Sequence, residues 1–161
     1  MKIMILSDTH GASDALVDHV KNWETIDKVI HLGDFIEDGK RVGDLTGKEV
    51  LCLRGNCDIK HYDHREEELL LCEEVSVFMT HGHRYRVKHS LLNLSLRAKE
   101  VSARIVLFGH THQPFNEMID NVLFFNPGSP VYPRGGALPT YGIIEIHNNA
   151  IASEIIFLLN A

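Results

Sequence analysis

Seven side chains of metal-binding type recur in five short segments of this chain. They are Asp8 and His10 in SDTHG, Asp34 in HLGD, Asn56 in RGNCD, His81 in THGH, and His110 with His112 in GHTH. Imidazole, carboxylate and amide oxygen, with no thiolate among them, suit manganese, iron, zinc or nickel better than calcium or magnesium. Seven donors over-supply a single ion. Two ions about 3.5–4 Å apart that share one carboxylate would use them all, which is the arrangement of two-metal hydrolases. Asp34 is the candidate bridge, because it is the only carboxylate besides Asp8 and stands between the two His-rich ends of the set. His83, in the same THGHR stretch, competes with His81 for the ligand position, and His81 is preferred as the first His after the apolar run. A lone Asp or His near a strand end is usually structural or solvated; the specific signal is the joint occurrence, in order, each after an apolar run.

Those apolar runs are what must position the ligands. Residues 3–6, 29–32, 50–53, 75–79 and 105–108 are short, rich in Val and Ile, and bounded by Gly, Asp and Asn, which predicts five buried strands. Ligands at the carboxyl ends of neighbouring strands fall along one edge of a sheet, so five loops are expected to converge on one pocket. Ser13 or Asp14 can cap a helix running to about Trp23, with Leu16, Val20 and Trp23 as its buried stripe. A second helix is expected over 90–102, where Leu91, Leu94, Ala98 and Val101 share a face and Leu92 and Leu96 widen it. Residues 141–146 and 151–158 flank a polar turn and predict a C-terminal hairpin.

Taken together, D-x-H, GD, GN, the His of THGH and GHTH resemble the calcineurin-like metallophosphoesterase superfamily over residues 3–134. Short length, the GNCD variant and NPGS at 126–129 are similar to its YfcE type of small phosphodiesterase. The resemblance implies an α/β fold of two mixed sheets packed face to face, with helices on both outer faces. It implies that Asp8, His10, Asp34 and His112 hold one metal while Asp34, Asn56, His81 and His110 hold the other, with manganese first in order and nickel, iron, zinc or cobalt as alternatives. The expected activity is phosphodiester hydrolysis by a hydroxide bridging the two metals, which needs no side-chain nucleophile. Asp34 and Asn56 would then be catalytic as well as ligands, Asp58 and His31 would orient ligands, and Arg134 would clamp a phosphate oxygen.

Cys57 departs from the superfamily pattern, since many relatives carry there the His that protonates the leaving group. A thiol is a poor proton donor to a departing alkoxide, so activity is expected to be modest and highest on aryl diesters. Two alternatives stand beside this reading. One is a non-catalytic protein-interaction scaffold like a eukaryotic retromer subunit, which shares the GNCD variant. The other is a phosphomonoesterase, ranked lower because only Arg54, Arg84, Arg86 and Arg134 lie near the ligand segments.

Composition sets wider bounds. At 161 residues one domain spanning 1–161 is expected, burying about two thirds of its unfolded surface. A net charge of −6 without a basic block argues against nucleic acid as a stable partner but says little about an anionic small substrate, since bound metal would offset part of it; a small phosphodiester is the partner the resemblance implies. No apolar run reaches the roughly 20 residues of a membrane span, and Asp8 interrupts the first apolar stretch, so no signal peptide and a cytoplasmic location are expected. Cys52, Cys57 and Cys72 form no CxxC pair and read as free thiols, Cys52 in the core. His61, His64 and the charged run 65–68 read as a solvated loop or hairpin tip. Segments 35–44, 59–68 and 113–121 are expected to be the loops that set specificity, and the C-terminal strands offer an edge for a homo-oligomer.

Overall fold

The computed structural model describes residues 1–20 and 22–158. Each of the five predicted strands is present. Strands β1 (Lys2–Leu6), β2 (Lys28–His31) and β3 (Val50–Cys52) are parallel neighbours. Strands β5 (Val75–Thr80) and β6 (Ile105–Leu107) are parallel neighbours in a second sheet. The ligand segments therefore issue from two sheets rather than from one edge of a single sheet.

The first sheet is completed by the C-terminal hairpin, β9 (Thr140–His147) and β10 (Ala150–Phe157), in the order β10-β9-β1-β2-β3. The second gains β4 (Glu67–Cys72), β7 (Pro114–Ile119) and β8 (Val122–Pro127), in the order β4-β5-β6-β8-β7. Both sheets are mixed, because β9 runs antiparallel to β1, and β4 and β7 run antiparallel to β5 and β8.

Strands covered on both faces carry apolar residues at every position rather than at alternate ones. In β1, Ile3 and Ile5 point between the sheets, where they meet Val77, Met79, Leu107 and Phe125 of the second sheet. Met4 and Leu6 point outward and are covered by Leu16 of α1 (Ser13–His19) and Val42 of α2 (Ile36–Thr46). Phe78, Val106 and Phe124 form the outer face of the second sheet under Leu94 and Ala98 of α3 (Leu92–Glu100). The result is two mixed sheets face to face with helices on both outer faces, as the sequence implied.

Several local expectations are corrected. Helix α1 stops at His19: Val20 is extended, and a 3-10 turn follows at Trp23–Thr25. The indole of Trp23 donates to the Val17 carbonyl at 3.1 Å and so caps a terminal carbonyl, while Trp23 and Val20 still pack with Leu16 as expected. Neither Ser13 nor Asp14 caps the helix; the N-cap is Ala12, and Asp14 pairs with Arg41 at 3.0 Å. The segment expected as loop 35–44 is mostly α2. Its Gly39 and Gly43 read as breakers in the sequence, yet they are what lets the helix lie close on β2 and β3, since a Cβ at Gly39 would stand 2.6 Å from Cys52 Sγ. Segment 113–121 is largely β7. Leu92 and Leu96 are exposed, so α3 is buried on one side only. Cys52 is half-buried and Cys72 buried in the core.

Candidate metal centre

Where the chain leaves its strands, five of the seven ligand-type residues adopt left-handed backbone conformations: Asp8 (φ 55°), His10 (φ 42°), Asp34 (φ 58°), His110 (φ 68°) and His112 (φ 58°). Non-glycine residues rarely adopt this conformation, and each such residue costs free energy that the surrounding structure must offset. The turns are held by a dense set of hydrogen bonds. Asp58 accepts backbone N–H bonds from Asp34, Gly55, Phe35 and Ile36 at 2.8–2.9 Å, joining the HLGD and GNCD loops at one carboxylate. The two loops also touch through glycine: a Cβ at Gly33, where φ is +107°, would sit 2.5 Å from Gly55 N.

Asp8 is fully buried. Its Oδ2 accepts from Ser7 Oγ at 2.6 Å and from the backbone N–H of His110 at 2.9 Å, which ties the SDTHG loop to the GHTH loop of the other sheet. Asn126 and Ser129 of NPGS brace the same pair. Asn126 Nδ2 donates to Gly109 O at 3.0 Å, and Ser129 Oγ donates to Asp8 O at 2.8 Å.

Asp8, His10, Asp34 and His112 each offer a ligand atom within 4.8 Å of the others. His112 Nδ1 stands 2.8 Å from the carbonyl of Tyr132, which can only accept, so a proton sits on Nδ1; Nε2 faces Asp8 Oδ1 at 3.2 Å, a contact that raises the pKa of His112 and that a metal would replace. His81 repeats the device. Its Nδ1 donates to Leu32 O at 3.0 Å, and its Nε2 lies 3.2 Å from Asn56 Oδ1 and 3.5 Å from Asp34 Oδ1. The His110 ring lies beside it, with centroids 5.1 Å apart. The His83 ring lies 5.4 Å from that of His81, and the structure gives it no approach to Asp34 like that of His81 Nε2.

Metal-type donor atoms therefore converge from both sides. Asp8 Oδ1 and His10 Nε2 are buried and have no hydrogen-bond partner among the described residues. Such orphaned acceptors are costly unless a cation meets them. Protonation follows the same logic. Burial alone would raise the Asp8 carboxyl, but the His112 ring facing it and the charge of His81 outweigh burial and hold it at about 2. Burial, helped by the charge of His81, pushes His110 down to about 4. An ionised carboxylate and a neutral imidazole are the forms that bind metals. The donor set thus suits divalent metal.

The other sequence candidates fall around this cluster. Asn56 Nδ2 points to Cys57 Sγ at 3.4 Å, and the Cys57 backbone donates to Asp34 Oδ1 at 2.8 Å. The Cys57 thiol itself is exposed; partial burial, then the hydrogen bond to Asp34, push it up to about 11. His31 is fully buried and bonded to Thr9 Oγ1 at 2.9 Å, behind the ligands. Arg134 donates its backbone N–H to His112 O at 3.0 Å, and its charge is felt at the His112 ring. His61, Asp63 and His64 form a separate group on the turn after GNCD, with His61 Nε2 3.3 Å from Glu37. Sequence reasoning missed Ser7 and Asp38. Asp38 Oδ2 takes the Gly11 N–H at 2.6 Å and so anchors the DTHG loop to α2. An Asp four residues after a ligand was the only available signal, and it lay in a segment expected to be loop.

A family model for the calcineurin-like phosphoesterase superfamily domain matches residues 1–149. The probable metallophosphoesterase YsnB of Bacillus subtilis is 36% identical over 151 residues, covering 93% of this chain and 87% of that protein. The phosphodiesterase YfcE of Escherichia coli is 29% identical over 170 residues, covering 90% and 88%. Among solved structures, a predicted phosphoesterase of Streptococcus pneumoniae superposes with a TM-score of 0.80 at 28% identity, over 97% of this chain and 88% of that one. Wild-type Vps29 of Entamoeba histolytica, solved with Zn²⁺, superposes with a TM-score of 0.79 over 97% of this chain and 98% of that one; at 18% identity this is a likeness of fold alone. With its two helix-covered mixed sheets and a cluster of metal-type donors between their ends, the chain belongs to the calcineurin-like phosphoesterase superfamily.

Proposed function

We propose that the protein is a metal-dependent phosphodiesterase acting on small phosphodiesters. The observation that supports this reading is the grouping of Asp8, His10, Asp34 and His112, with His81 and Asn56 beside Asp34 and with Asp8 Oδ1 and His10 Nε2 buried without hydrogen-bond partners among the described residues. Asp8, His10, Asp34 and His112 would hold one ion and Asp34, Asn56, His81 and His110 a second, with Asp34 shared; manganese is the first choice, and nickel, iron, zinc or cobalt suit the same donors. Two such ions supply an activated water nucleophile and Lewis-acid stabilisation of charge on the phosphoryl oxygens.

The chain's own residues do the positioning. Leu32 O and Tyr132 O fix the tautomers of His81 and His112, so that Nε2 is the ligand atom in each. Asp58 locks the backbone of Asp34 and Gly55. Arg134, whose backbone N–H bonds His112 O, would offer its guanidinium to a phosphoryl oxygen. Cys57 keeps its proton at neutral pH but is a weak acid, so leaving groups that depart without help are favoured.

A second reading, a protein-interaction scaffold, is favoured by one observation: the missing leaving-group His at Cys57, on a fold shared with Vps29. The test is hydrolysis of bis-p-nitrophenyl phosphate and p-nitrophenyl phosphate by metal-stripped protein, with and without Mn²⁺, beside Asp34→Asn. Mn-dependent cleavage of the diester, faster than of the monoester and lost in the variant, is the expected outcome. Faster cleavage of the monoester would make the protein a phosphomonoesterase. Metal binding without cleavage under any divalent ion would transfer the argument to the scaffold.

A further inference from the structure

Phe35 is a strained residue that the metal cluster does not need. It follows Asp34 with φ 79° and ψ 64°, a left-handed conformation that a bulky side chain rarely adopts. Asp58 enforces it by taking the N–H groups of Phe35 and Ile36 at 2.8 and 2.9 Å. The consequence is an aromatic ring 43% exposed, with its neighbour the His10 ring at 4.9 Å in an edge-on arrangement. Beside it lies an open, mainly apolar cavity of about 320 Å³, whose lining includes Phe35, Ile36 and Ile59 together with Cys57 and the carboxylates Glu37 and Asp58. Ile59 is 68% exposed there. One wall is thus the residue after Asp34, another is the residue after Asn56, and the Phe35 ring joins the cavity to His10 of the ligand cluster.

We infer that this cavity is a subsite for a flat aromatic substituent of the phosphoester, seated between Phe35 and Ile59 while the phosphoryl group meets the ligand cluster. The inference rests on the phosphoesterase reading above and names the substrate arm. The space is ample, since a closed cavity of about 150 Å³ already holds benzene. Phe35 offers the arm a ring for stacked or edge-on contact. The backbone turn at Phe35 serves the Asp58 lock, but an aromatic side chain there adds nothing to the buried core, to which neither Phe35 nor Ile59 belongs, and is free to serve binding.

The subsite can be read without turnover, using phosphonates that have no leaving group. Mn-loaded protein would be titrated calorimetrically with phenylphosphonate and with methylphosphonate. The phenyl compound should bind on the order of tenfold tighter, because part of the ring leaves water. In Phe35→Gly and in Ile59→Ser the ratio of the two affinities should fall towards one. Phe35→Gly relieves the left-handed strain and Ile59 is exposed, so both variants should retain the wild-type thermal midpoint or better. A ratio near one in the wild type, or a ratio that survives both substitutions, overturns the subsite and leaves the phosphoesterase reading intact. Failure of both phosphonates to bind overturns that reading and the subsite with it.

Discussion

Asp58 shows how one carboxylate can hold a site it does not enter. Its four backbone donors come from both the HLGD and GNCD loops, including the backbone of Asp34. Burial would raise its pKa, but these N–H groups outweigh burial and set it below the ordinary carboxylate value. A carboxyl whose folded pKa is depressed contributes stability that is present above its unfolded value near 4 and is lost as pH falls through the folded value. Asp58→Asn should therefore cost about 2 kcal/mol at pH 7. In urea unfolding of metal-free protein the gap between variant and wild type should close below about pH 4. A gap that persists into acid would mean that the carboxylate charge is not what holds the loops. The ligand types were legible in the sequence because DxH, GD, GN and GHTH keep chemistry in short spacings. The left-handed turns at Asp8, Asp34 and His112 were not, because no residue type there announces positive φ, and neither was Phe35, whose strain comes from a partner 23 residues away.

The strands that read clearly are those with both faces covered, β1, β2, β5 and β6, where continuous Val, Ile and Leu leave no other assignment. Edge strands β4 and β7 mix Glu, Leu, Asn and Met on half-exposed faces, so neither period nor hydrophobicity marks them. Helix α2 was hidden for a different reason: its contact with the sheet is made through Gly39 and Gly43, the residues that sequence reasoning takes as breaks. Close approach also governs the contact between sheets. Gly142 in β9 faces the buried Phe125 of β8, and a Cβ there would lie 2.3 Å from the ring. Gly142→Ala forces the ring or the strand to move and should cost about 2 kcal/mol. In a chain of this size that lowers the thermal midpoint by roughly 4–8 °C. Unchanged stability would show that the sheets can slide apart freely at this point.

The two sheets meet through apolar side chains in the middle and through polar loops at one end, and the loops have an unfinished look that the middle lacks. Asp8, His10, Asp34 and Asn56 arrive from the first sheet, while His81, His110 and His112 arrive from the second. Direct hydrogen bonds between the sets exist, as from His110 N to Asp8 Oδ2 and from His81 Nδ1 to Leu32 O, but Asp8 Oδ1 and His10 Nε2 are left without partners. A cation shared by both sets would bind the folded chain and find no assembled site in the unfolded one, so it must stabilise the fold by mass action. At a free metal concentration a hundredfold above the dissociation constant the gain is about 2.7 kcal/mol, or roughly 5–10 °C in thermal midpoint. Chelation should reverse it, and Asp34→Asn should lose most of it, because the substitution removes the carboxylate nearest His81 and one of the donors grouped with His112. Equal midpoints with and without Mn²⁺, measured by scanning calorimetry on stripped and reloaded protein, would show that the converging donor atoms are met in some other way and that the ends of the two sheets are not joined through metal.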